Sequence, residues 1–414
     1  MGIGASCRVE ERITTFYSDN LMNRRVFLRN ANLAAVSLAA GGGLAGCVKR
    51  PVAAATGMMM VPENLPLSAC HLPPVHIAPE REIRTVVGLR PFRPSGFRVA
   101  KEMVGETTVV HNYGHGGGGI TLSWGTSKLA VDLGLPGHVG PVAVLGCGAV
   151  GLATARLVQE AGFEVTIYAK ALPPETTSNI AGGQWFPASV YDPDKALTPE
   201  FTEQFVKAAR YGYRRYQIMT DPRYGIRWMR NYFIANAPWR APITAGQFGL
   251  IQDLLPEIKD MQVGEHPFGT KLVRQFDGMI VEPPIYLPAM LTDVRIAGGR
   301  VVVREMRGLD EVKALPEKLV FNCTGLGAKA LFNDAEMTPI RGQLTFLVPQ
   351  PEVTYATSYE NTYMFSRRDG VLLGGTHEMG DWNLQPDLKT KAAILLKQAE
   401  LFGGMNNPSV KCRV

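Results

Sequence analysis

Residues 141–155 read Pro141-Val-Ala-Val-Leu-Gly-Cys-Gly-Ala-Val-Gly-Leu-Ala-Thr-Ala155. Val142 to Leu145 is a short, continuously apolar run, as expected of a strand buried on both faces. Gly146, Gly148 and Gly151 follow in GxGxxG spacing, a helical pattern runs from Leu152 to Ala161, and Glu164 to Tyr168 reads as a second strand. This strand–turn–helix–strand setting gives the glycines a physical meaning. Gly146 permits the tight turn, and Gly148 lets the backbone approach a pyrophosphate. Gly151 lets helix and strand pack closely, and the helix N-terminus attracts an anion. The fold class that follows is α/β, with a dinucleotide-binding parallel sheet. The second strand should end in Asp or Glu to take a ribose hydroxyl. Here Tyr168 leads to Ala169, Lys170 and Ala171. Lys170 either tolerates a ribose phosphate or sits at the surface beside a ribose held by other groups.

Upstream, Val109-Val-His-Asn-Tyr-Gly-His-Gly-Gly-Gly-Gly-Ile-Thr-Leu-Ser-Trp-Gly125 reads as strand, glycine-rich loop and helix, the helix running to about Leu133. Gly116, Gly117, Gly118 and Gly119 admit backbone conformations closed to other residues. The N–H groups there and at the helix start, with Ile120 and Thr121, suit an electron-rich ring system.

The composition sets outer limits. The chain has 414 residues, 46% of them hydrophobic, with 43 Lys plus Arg against 37 Asp plus Glu for a formal charge of +6. That excludes a disordered tail, a collagen or a disulfide mini-scaffold. No apolar run reaches the roughly 18 residues of a membrane-spanning helix. No basic stripe with interleaved aromatics points to nucleic acid. The six cysteines contain no CxxC pair, so neither a metal site nor a disulfide framework is expected; Cys70 and Cys412 are expected to stay unpaired.

With these motifs quoted, the sequence resembles the D-amino-acid oxidase and D-aspartate oxidase family of flavoproteins. The loop His111 to Gly119 with Thr121 and Trp124-Gly125 is similar to that family's flavin motif. Arg90-Pro91-Phe92-Arg93-Pro94 resembles its substrate-arginine motif. Thr176-Thr177-Ser178, Ala181-Gly182-Gly183 and Trp185 resemble its pyrophosphate and flavin-edge segment. Asn322-Cys323-Thr324-Gly325, Arg341-Gly342-Gln343, Gly374-Gly375-Thr376 and Gly380-Asp381-Trp382 match further landmarks. In the family the arginine motif and glycine loop close the chain. Here they open it, so the sequence resembles a circular permutant, joined through Pro136 to Gly140.

The resemblance implies a Rossmann-like FAD-binding domain (94–190 and 285–339) and an antiparallel-sheet substrate domain (82–93, 191–284 and 340–414). It implies FAD as cofactor, a D-amino acid as substrate and molecular oxygen as acceptor. It makes Arg90 the carboxylate anchor, assisted by Tyr363, with Tyr359 on the entry side of the pocket and the Gly117 backbone at the amine. The implied cofactor set also takes in Ala149, Val150, Gln184, Met306, Thr324 and Gly325. Hydride transfer from Cα to the flavin needs orientation more than a strong base, so His111 and His115 are read as loop-structuring. The D-aspartate branch carries Arg where this chain has His377, which points to neutral D-amino acids. The alternatives are a D-aspartate oxidase, a dehydrogenase feeding a membrane acceptor, and an inactive FAD-binding module. A homodimer is left open.

The N-terminus carries an address. Asn23-Arg24-Arg25-Val26-Phe27-Leu28-Arg29, a small-residue run from Ala31 to Ala40 and Leu44-Ala45-Gly46-Cys47 resemble a twin-arginine signal closed by a lipobox. A folded, FAD-loaded protein exported to the periplasm or cell envelope, with a lipid anchor on Cys47, is the expectation. Residues 48–81 then read as a tether. Removing 1–47 takes away five arginines and three acidic residues and leaves a charge of +4.

Overall fold

Two sheets stand back to back around one cavity. A computed structural model describes residues 69–239 and 246–406. Residues 1–47, where an export signal ending at Cys47 is expected, and Cys412 lie outside these residues. No helix among the described residues is long and apolar enough to cross a membrane.

The first sheet has six strands in the order β2-β3-β10-β4-β5-β9. They are β2 (Arg98–Val104), β3 (Thr107–Tyr113), β4 (Val142–Leu145), β5 (Val165–Ala169), β9 (Arg300–Val303) and β10 (Leu319–Asn322). All neighbours pair in parallel except the edge strand β2. Every residue of β4, β5 and β10 is buried, as strands covered on both faces must be. Helix α1 (Gly119–Gly134) follows β3 and α2 (Ala149–Glu160) follows β4. Both expected helices are therefore present, α2 beginning three residues earlier than its apolar pattern suggested. Helix α3 (Pro199–Ile218) packs on α1, where the Tyr216 hydroxyl donates to Ile120 O at 2.7 Å. The boundary expected at residue 191 assigned this helix to the substrate side, but its amphipathic face buries against the cofactor-side helices.

The second sheet is mostly antiparallel and has nine strands. Its main path is β1 (Glu82–Phe92), β11 (Thr338–Leu347), β14 (Gly370–Gly374), β13 (Thr362–Arg367), β12 (Tyr355–Tyr359), β6 (Ile226–Ala235), β8 (Leu272–Val281) and β7 (Lys259–Met261), with β15 (Glu378–Met379) on β11. One face gathers Met229, Ile280, Leu344 and Phe365, the last two lining the cavity. The other carries Tyr232, Tyr359, Met364 and Leu373 into a separate core with Ile394 and Phe402 of the last helix, Leu388–Gly403. This alternation of faces decides which side chains reach the site.

Cys147 and Cys323 are free and buried. Cys70 is disulfide-bonded, which corrects the expectation that it stays unpaired.

Candidate active site

A cavity of about 1000 Å³ runs between the sheets, at the upper end of the usual size of a ligand site. At one end lie the turn after β4 and the start of α2. Gly146 has φ +105°, a conformation that glycine adopts freely, and a Cβ there would meet Cys323 O at 2.5 Å. The Ala149 N–H donates to Ser178 Oγ at 3.0 Å, tying the segment 176–178 to the helix start. The first turns of α1 and α2 contain no acidic residue, so both helix N-termini present uncompensated positive dipole ends at the cavity.

The glycine loop is built against the chain segment at 187–190. A Cβ on Gly116 would fall 1.9 Å from Ser189 O, and one on Gly117 2.5 Å from Ala188 O. Gly116, Gly117 and Gly118 are thus a close-approach surface, not a mobile loop. His115 is buried beneath them, its Nε2 2.8 Å from Thr126 Oγ1 and its ring stacked on Phe97. Burial pushes its pKa down to about 3, so it is neutral and structural. His111 is likewise enclosed, 3.0 Å from Asn322 and 3.1 Å from Glu102.

At the far end Arg90 projects from β1. Its Nη1 donates to Thr376 O at 3.2 Å and its Nη2 to the Tyr363 hydroxyl at 3.4 Å. Arg93, three residues on, is fully engaged by Asp334 and Glu336, each at 3.1 Å. Arg90 has no carboxylate partner among the described residues, and the acids lining the cavity are Glu175, which follows β5, and Glu305, which follows β9. Space for the guanidinium comes from Gly342: a Cβ there would touch Arg90 Nη1 at 2.5 Å. Gly374 does the same for Tyr363, whose ring stacks on Phe365 at 4.8 Å. His377 lines the same end, with Nε2 3.2 Å from Ser189 Oγ. Burial first, and then the Arg90 charge, lower its pKa.

Most residues singled out from sequence meet in this cavity: Arg90, Tyr363, Gly116, Gly117, Gly119, Ile120, Thr121, Gly146, Gly148, Ala149, Val150, Lys170, Thr176, Thr177, Ser178, Gly182, Gly183, Gln184, Met306, Thr324 and Gly325 all line it. Three do not. Tyr359 faces the opposite side of the sheet, where its hydroxyl accepts from Asn236 Nδ2 at 2.9 Å; the neighbouring Ser358 faces the cavity instead. Gly118 is turned onto Val190, 2.6 Å from where its Cβ would be. Gly151 packs on Gly146 O, 2.1 Å from its Cβ position; it serves the close packing expected of it without touching the cavity. Trp185 also points away, edge-on to Tyr213 at 4.9 Å. Residues that the sequence did not mark include Phe186, Phe233, Asn361 and Glu305. Only Phe186 carried a local signal, two residues beyond Gln184 and so on the same face of an extended segment.

The family model for FAD dependent oxidoreductases matches residues 54–133 and 141–412. The chain belongs to this family. Among curated proteins it is similar to a D-amino-acid oxidase of Rubrobacter xylanophilus, 29% identical over 62% of this chain and 76% of that protein. It is also similar to human D-aspartate oxidase, 28% identical over 64% of this chain and 78% of that protein. The solved glycine oxidase of Bacillus cereus aligns with a TM-score of 0.47 and 17% identity, over 63% of this chain and 77% of that one. The cofactor is FAD, and the cavity fits it. Two acid-free helix N-termini and the Gly146 turn offer a diphosphate cradle and a polar ring contact. Lys170 and Arg90 both line the same cavity.

Proposed function

We propose that the protein oxidises D-amino acids with oxygen and water to 2-oxo acid, ammonia and hydrogen peroxide. The observation that carries this is Arg90, a cation with no counter-charge among the described residues, held in a cavity by a tyrosine hydroxyl and a backbone carbonyl. A planar guanidinium takes a carboxylate with two parallel hydrogen bonds. Tyr363 adds a third donor and, with Phe365, an apolar wall. Those contacts fix Cα and leave its hydrogen to point along one direction, which is how positioning lowers a barrier. FAD, when bound, supplies the acceptor for that hydride. Substrate binding, orientation and exclusion of water fall to Arg90, Tyr363 and Phe365. The names of the curated relatives support the D configuration.

His377 favours uncharged side chains, since its lowered pKa keeps it neutral at pH 7 and, among the described residues, no other cation besides Arg90 lines that end. The test is a panel of D-Ala, D-Met, D-Asp and their L forms, read by peroxide formation and by dye reduction without oxygen. Reduction of the flavin by neutral D-amino acids with peroxide release is expected. Reduction without peroxide in air would replace the oxidase by a dehydrogenase, and reduction by L forms alone would sink the proposal.

Two further readings belong here. We read the order of segments as a circular permutation, supported by a family match in two blocks whose seam, 134–140, joins α1 to β4. We also read the protein as exported and lipid-anchored through Cys47. The disulfide at Cys70 supports this, since such bonds persist in oxidising compartments. Cys47→Ser should move the protein from the membrane to the soluble envelope fraction; unchanged membrane retention would reject the anchor.

A further inference from the structure

The end of β5 lacks the acid that a dinucleotide site places there, and Lys170 stands in its position. The structure brings a carboxylate to the same place from another strand. β9 lies parallel to β5, with Ala169 opposite Val303, and the Arg304 N–H continues the ladder by donating to Ala169 O at 2.9 Å. The next residue, Glu305, stands just beyond the end of this ladder, and Lys170 Nζ stands 3.7 Å from its Oε1. Both line the cavity, and both are more than half exposed.

An exposed pair of this kind contributes little to stability. Its position accounts for it better. A carboxylate at this corner accepts from vicinal hydroxyls, and the lysine beside it offsets the repulsion between that carboxylate and a nearby diphosphate. Glu175 is the other acid on the cavity wall. It directly precedes Thr176-Thr177-Ser178, the segment tied to the start of α2 by the Ser178–Ala149 bond, where a carboxylate would meet the diphosphate's own charge. Arg304 is turned to Glu311 at 3.3 Å.

We infer that Glu305, delivered by β9, takes the hydroxyls of the adenosine ribose of FAD, with Lys170 as its charge partner. This rests on FAD being the cofactor.

The test removes FAD and measures its rebinding by flavin fluorescence, with ADP, 2′-deoxy-ADP and 3′-deoxy-ADP as competitors. A hydrogen bond to a charged acceptor corresponds to roughly a tenfold preference or more. The wild-type apoprotein should therefore hold ADP about tenfold tighter than at least one deoxy analogue. Glu305→Ala and Glu305→Gln should hold all three within about twofold of each other, and Glu175→Gln should keep the wild-type preference. Thermal unfolding of each variant checks that the half-exposed position leaves the fold intact. A preference that survives in both Glu305 variants overturns the inference, as does its loss in Lys170→Met with both Glu305 variants unaffected, or a wild type that binds FAD without discriminating the analogues. A wild type that takes up no FAD overturns the cofactor assignment, and this inference with it.

Discussion

The two ends of the cavity are made of different materials. Around Gly146 and the start of α2 the protein presents backbone: a turn at positive φ, a helix N-terminus, and a glycine pressed to within a carbonyl's reach of neighbouring chain. Around Arg90 it presents side chains, a guanidinium and a phenol aimed inward from antiparallel strands, with glycines on the neighbouring strands left bare to make room. Backbone recognition is tolerant of side-chain identity but intolerant of any added atom. Side-chain recognition tolerates remodelling around it but depends on a few functional groups. The two ends should therefore fail in different ways.

The largest expected effect is at Arg90. Arg90→Leu should lower kcat/KM for D-amino acids about a hundred- to thousandfold, the scale of removing one partner of an enclosed charge pair. FAD content and melting temperature should stay near wild type. Retained kinetics in stopped-flow flavin reduction would take the carboxylate anchor away from Arg90. Next comes the backbone end. Gly146→Ala combines a φ of +105° with a Cβ 2.5 Å from Cys323 O, and should cost about 2–4 kcal/mol of stability together with FAD retention. A variant that melts normally and stays yellow would show the turn to be less constrained than its geometry.

His115, beneath the glycine loop, adds a pH signature. Its pKa falls from 6.5 to about 3 because burial disfavours the imidazolium. The unfolded chain therefore binds a proton that the folded chain refuses. Its contribution to stability is complete above pH 6.5 and is lost progressively as the pH falls toward 3, by about 1 kcal/mol per pH unit. Melting curves from pH 7 to 5 should show that slope, and it should shrink in His115→Gln; an equal slope in the variant would assign it to other groups. The smallest effect separates two tyrosines. Tyr363→Phe should raise KM about tenfold, the worth of a hydrogen bond to a charged group. Tyr359→Phe should leave KM within twofold and lower stability slightly through its Asn236 contact. Equal kinetic effects would mean that Tyr359 reaches the substrate.

That last pair also marks what was legible. The GxGxxG turn, the glycine loop and the arginine motif were readable because each is local: a dozen residues contain the whole geometry. Tyr359 and Tyr363 are four residues apart, and the sequence places both at one pocket. Between them Glu360 and Asn361 adopt φ of +45° and +65°, a two-residue hairpin turn that pairs Ser358 with Tyr363 and Tyr359 with Thr362. Because strand faces alternate, the turn sends Tyr359 to the opposite side of the sheet. Glu305 was illegible for another reason. It lies far from Lys170 in the chain and meets it only because β9 runs beside β5, a fact of sheet order that no local pattern carries.

Gly342 illustrates how the site constrains its own history. The strand that carries it turns Arg341 away from the cavity, where the buried Arg341 donates to Asn383 O at 2.7 Å and Gln385 O at 2.6 Å and so holds the loop that follows His377. A mutation at Gly342 would displace the guanidinium, and one at Arg341 would release the loop, so neither neighbour can drift while the other is kept. Variation in substrate range has to enter elsewhere, at positions such as Ser358 and His377 that border the cavity without holding up the strand. Directed evolution of this enzyme should gather its specificity changes at those positions and leave the Arg341-Gly342-Gln343 strand untouched.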